Sequence, residues 1–106
     1  MVRVTILKNK QGDYTGFTFL GHAGYAEHGS DIVCAAVSVL VINTLNSIEA
    51  FTKDVPAVRM EEKEGRIECR FLERVSKETV LLLDSMVLGL RGIEKEYGRK
   101  YIRLSS

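Results

Sequence analysis

Eleven consecutive residues, Ile32 to Ile42 (I-V-C-A-A-V-S-V-L-V-I), carry a single polar side chain, Ser38. A helix that is apolar on nearly every face is stable only in an interior, where no side meets water. The pattern continues to Phe51, turning partly polar from Asn43, and Lys53 to Pro56 breaks it. A chain of 106 residues has room for one core. The sequence therefore predicts a single domain over residues 1–106, folded around a buried first helix.

The flanking segments read as strands and one further helix. Val2 to Lys8 sets Val2, Val4 and Ile6 against Arg3, Thr5 and Leu7, the period of a half-buried strand. Turn residues from Asn9 to Asp13, with Gly12 among them, lead into a second strand, Tyr14 to Leu20, rich in aromatic and β-branched residues. Ala57 to Arg74 reads as a second hairpin that turns near Glu64-Gly65 and puts Ile67, Cys69 and Phe71 on one inward face. Ser76, with Glu78 and Thr79, opens a second helix whose apolar positions Val80, Leu83, Val87, Leu90 and Ile93 keep helical spacing to about Tyr97. Gly98 ends it, and Lys100 to Leu104 gives a last strand. The order ββαββαβ, with short hairpins, predicts an α+β domain with a largely antiparallel sheet.

Composition narrows the function classes. Fifteen Lys and Arg against fourteen Asp and Glu leave a formal charge of +1. Nucleic-acid and membrane-surface binding both need large basic patches, so neither partner is expected. The N-terminus lacks the basic-then-apolar pattern of a signal peptide, and the run Ile32–Ile42 is shorter than the ~20 residues that span a bilayer. These features predict a cytoplasmic protein, in which a disulfide between Cys34 and Cys69 is not expected.

Chemistry concentrates between Gly21 and Ser38. Gly21, Gly24 and Gly29 make a permissive loop that carries both histidines of the chain, His22 and His28, into the apolar helix. Ser30 or Asp31 is placed to cap that helix, which puts Cys34 in its first turn. Unpaired N–H groups and the macrodipole favour an anion there, and the N–H of Cys34 could hold a developing oxyanion. A thiolate beside the imidazole of His22, at the end of the second strand, would be a nucleophile with a proton acceptor and donor at hand. Ser38, one turn after Cys34, either bonds near the sulfur or returns its hydroxyl to the Cys34 carbonyl. Asp31 either orients His22 or only caps the helix; an anion beside a thiolate favours the capping role. His22, His28 and Cys34, with Asp31 or Glu27, could instead ligate zinc, although their six-residue spacings match no compact motif. A third reading makes Cys34 a core residue of a non-enzymatic binding module.

Gly21-His22-Ala23, Gly29 and Asp31-Ile32-Val33-Cys34-Ala35-Ala36-Val37-Ser38 together resemble the signature of the bacterial ribosomal-processing cysteine proteases, the Prp (YsxB-like) family. The resemblance implies a small homodimeric cytoplasmic endopeptidase without cofactor or metal, with His22 as catalytic histidine and Cys34 as nucleophile. It further implies a substrate: the N-terminal extension of large-subunit ribosomal protein twenty-seven, cut after a segment with adjacent aromatic residues. The signature has no histidine at position 28, which favours His22 over His28. For a non-enzymatic binding module, the same resemblance implies association with the ribosome.

Overall fold

The computed structural model describes residues 1–21 and 28–106, with side chains for 1–21 and 32–106. The elements run β1 (Val2–Lys8), β2 (Tyr14–Leu20), α1 (His28–Phe51), β3 (Ala57–Glu61), β4 (Arg66–Arg70), α2 (Lys77–Tyr97) and β5 (Ile102–Ser105). The ββαββαβ order and the α+β class are those expected. The five strands lie in the order β3-β4-β2-β1-β5. Three pairings are antiparallel, and β5 runs parallel to β1 with Val2 opposite Ile102. β5 reaches its parallel place beside β1 through α2, which carries the chain from β4 past β2 and β1 to the sheet edge.

The strand alternation dictates the core. Val2, Val4 and Ile6 of β1, Phe17 and Phe19 of β2, and Ile67 and Cys69 of β4 are buried on the face that the helices cover. Residues fully buried here, such as Phe17, Ile48, Leu83 and Leu90, each contribute about 1.5–3 kcal/mol by leaving water. On α2 the buried positions are Thr79, Leu83, Met86 and Leu90, a stripe at helical spacing.

The first helix departs from expectation in two ways. It begins at His28, so Ser30 and Asp31 are first-turn residues rather than caps, and Gly29 belongs to the helix instead of a loop. It is also buried along one stripe rather than all round: Val33, Val37, Val41, Leu45 and Ile48 face the core, while Ile32, Val39 and Ile42 remain exposed. The cause is the two-layer architecture, in which a helix meets the sheet on one side and α2 on another and leaves a third to solvent. From Ile32 to Phe51 α1 also has the length and composition of a membrane span, yet its inner stripe is packed in the core. On the edge strand β3 the inward residues Val58 and Met60 are 42% and 55% exposed, since the helical layer stops short of them.

Asp54, which the sequence marks only as part of a helix break, ties the two helices together. Its carboxylate accepts from the Ser76 backbone N–H at 2.9 Å, from the Ser76 hydroxyl at 2.6 Å, and from the Thr79 hydroxyl. Ser76 in turn caps α2 by accepting from the Thr79 N–H. The hydroxyl bonds from Ser76 and Thr79 hold the Asp54 carboxyl below its ordinary pKa. A depressed folded-state pKa adds stability above the unfolded value near 3.9, and that stability is lost as pH falls through the folded value. Asp54→Ala should therefore lower the unfolding free energy by roughly 2 kcal/mol at pH 7. In urea denaturation the gap from the parent protein should narrow below about pH 4, whereas a gap unchanged at pH 3 would contradict the assignment.

Candidate active site

Cys34 sits where the end of β2 meets α1. It is half-buried, on the second turn of the helix, with its side chain against the core. Gly21, the residue after β2, is buried and presses against it: a Cβ at position 21 would lie 3.1 Å from Cys34 Sγ and 3.0 Å from the Phe19 ring. The N–H of Gly21 donates to the Gly65 carbonyl at 2.8 Å, which extends the β2–β4 ladder by one bond beyond Leu20 opposite Arg66. Glycine suits this position, because a Cβ here would oblige the Phe19 ring and the sulfur to give way.

The early start of α1 changes the electrostatics expected of the thiol. Cys34 is the seventh residue of the helix, not one of its first turn. The dipole effect decays within that first turn, and in an α-helix an N–H at this depth is directed to the carbonyl four residues back. The Cys34 N–H is thus spoken for as an oxyanion donor. Ser38 is half-buried, and its hydroxyl lies 4.0 Å from Cys34 Sγ, the outer limit of a hydrogen bond to sulfur.

Of the other residues singled out by sequence, Asp31 has its backbone in the first turn of α1, where a carboxylate complements the positive helix end. His22, Gly24 and Glu27 lie outside the described residues, as do the side chains of His28 and Asp31. His28 and Cys34 are separated by about 9 Å of helical rise. Among the described residues no three His, Cys, Asp or Glu side chains gather as a metal site would require. Cys69 is wholly buried on β4 opposite Phe17 of β2, and burial pushes its thiol up to about 12, so it stays protonated and inert. Both cysteines are free.

Two features have no signal in the sequence. One is the Gly65–Gly21 contact, because a glycine in a hairpin turn carries no mark of what it touches. The other is an apolar hollow floored by Phe19 and Ile67 and walled by Ile42 and Met60. Ile42 lies two helical turns after Cys34, on the stripe that passes through Ser38. The hollow therefore lies two turns along α1 from the thiol, and Gly65 also lines it.

The sequence profile of the family described as cysteine protease Prp matches residues 1–103. The ribosomal processing cysteine protease Prp of Staphylococcus aureus is 33% identical over 105 residues, covering 99% of this chain and 98% of that one. Its Bacillus subtilis counterpart is 31% identical over 101 residues, covering 92% and 90%. The crystal structure of the S. aureus Prp in complex with a substrate peptide superposes with a TM-score of 0.92 at 32% identity, covering the whole of both chains. A second S. aureus structure, with a covalently linked product peptide, gives 0.87 at 33% identity over 99% of this chain and 98% of that one. With matches that run along nearly its full length, the chain belongs to the Prp cysteine protease family and is a peptidase.

Proposed function

We propose that this protein removes the N-terminal extension of large-subunit ribosomal protein twenty-seven, with Cys34 as nucleophile and His22 as proton carrier. The observation that carries the reading is the contact of Cys34 with Gly21, because the next residue in the chain is His22. Family membership sets aside the non-enzymatic module. The S. aureus relative is named for ribosomal processing and has been crystallised with a substrate peptide, which supports a ribosomal protein as substrate here.

In this mechanism His22 accepts the thiol proton as Cys34 Sγ bonds to the peptide carbonyl carbon. Collapse of the tetrahedral intermediate breaks the C–N bond, and the leaving amine takes the proton from His22. Water, deprotonated by the same imidazole, then hydrolyses the thioester and restores the thiol. Asp31 and Ser38 are the proposed supporting residues, the second through its approach to the sulfur. The apolar hollow lined by Phe19, Ile42, Met60 and Ile67 suits the apolar side chains of the extension. The exposed Val39, Leu81 and Leu88 on the helical layer, 69%, 70% and 74% accessible, support a homodimer, and the protein acts in the cytoplasm.

Cys34→Ala should leave the circular dichroism spectrum and melting temperature near those of the parent. Cleavage of a synthetic peptide with the sequence of the extension should fall by roughly a thousandfold or more. Retained cleavage would reject Cys34 as nucleophile. Ser38→Ala removes one weak contact to sulfur, so kcat should drop only a few-fold with KM unchanged. A loss as deep as that of Cys34→Ala would assign the hydroxyl a larger part than its 4.0 Å separation allows.

A further inference from the structure

The turn joining β3 to β4 reaches the thiol through two successive backbone contacts. Gly65 has φ +63°, and its N–H donates to the Glu62 carbonyl at 3.1 Å, closing the turn. Its own carbonyl accepts the Gly21 N–H at 2.8 Å. The opposite face of Gly65 is pressed onto the same residue: a Cβ there would stand 2.9 Å from the Gly21 carbonyl oxygen and 3.4 Å from its carbon. Gly21 is held from this side by Gly65 and meets Phe19 and Cys34 Sγ on the other. Any side chain at position 65 must therefore push Gly21 or move the turn away, and either displacement alters the wall against which the sulfur rests.

We infer that Gly65 is a positioning residue for the peptidase reaction: by clamping Gly21 against Cys34 it fixes the backbone beside the sulfur, at the residue that precedes His22 in sequence. The inference rests on the Cys34–His22 reading proposed above. Gly65 touches neither the sulfur nor substrate and acts only through Gly21. The requirement at position 65 is close approach as well as backbone conformation. Gly12 separates the two, because it shares the left-handed region at φ +85°, at the other end of β2, with nothing within 4 Å of its would-be Cβ.

The experiment compares Gly65→Ala, Gly65→Asn, Gly12→Ala and His22→Ala in the full chain by steady-state cleavage of the extension peptide and by thermal melting. Asn tolerates positive φ better than other non-glycine residues but still carries a Cβ, so it retains the clash while easing the strain. Both Gly65 variants should lower kcat roughly ten- to a hundredfold, the scale set by small misplacements of reacting groups, with KM within about threefold. Gly12→Ala should keep the parent kcat while losing melting temperature comparable to Gly65→Asn. Parent-like kcat in a folded Gly65→Asn, or an equal kcat loss in Gly12→Ala, would overturn the inference. Loss of cleavage in His22→Ala with intact Gly65 variants would overturn the clamp alone, and full activity of His22→Ala would overturn the Cys–His reading together with it.

Discussion

The site depends on how closely the residue after β2, Gly21, approaches the second turn of α1. At position 21 a Cβ would crowd both the Phe19 ring and the Cys34 sulfur, so strand and helix meet through bare backbone. The rest of the fold sets the height of that meeting. The inner stripe Val33, Val37, Val41 and Ile48 seats α1 on the sheet, and β4 on the far side of β2 carries the turn that holds Gly21. The Cys34 thiol at this junction is half-buried and packs against the core. Cys69, fully buried on β4, shows the contrast within one chain.

The polar groups outside the site serve the scaffold. Asp54 gathers the N–H and hydroxyl of Ser76 and the hydroxyl of Thr79, joining the exit of α1 to the entry of α2. Tyr14 donates its hydroxyl to the Asp84 carboxylate, linking the start of β2 to α2. Burial and that carboxylate hold the Tyr14 phenol well above its ordinary pKa, so the bond persists across the physiological range. The first link joins the ends of the two helices, and the second ties the start of β2 to the body of α2.

Much of this is legible in the sequence because the cues are local. Period-two alternation marks β1 at Val2–Lys8 and β2 at Tyr14–Leu20, and Ser76 with Thr79 marks the start of α2. The start of α1 is not legible in the same way, because Ser30 and Asp31 fit a cap and a first helical turn equally well, and the structure uses them in the turn. That difference of about one turn moves Cys34 beyond the helix end at which the sequence places it. The strand order and the parallel β1–β5 pair are non-local facts with no signature in any one segment. The same holds for Gly65, whose importance comes from a residue forty-four positions away. Of the site itself, Cys34 and Ser38 are legible by their one-turn spacing, whereas the hollow formed by Phe19, Ile42, Met60 and Ile67 requires several elements to be brought together first.

The central claim is that hydrolysis passes through a thioester on Cys34. Hydroxylamine added during turnover of the extension peptide tests it directly, because it intercepts a thioester and leaves a hydroxamate on the N-terminal fragment. Mass spectrometry should find that hydroxamate alongside the free acid, with both absent for Cys34→Ala. Free acid alone at saturating hydroxylamine, or hydroxamate still formed by Cys34→Ala, would contradict the account.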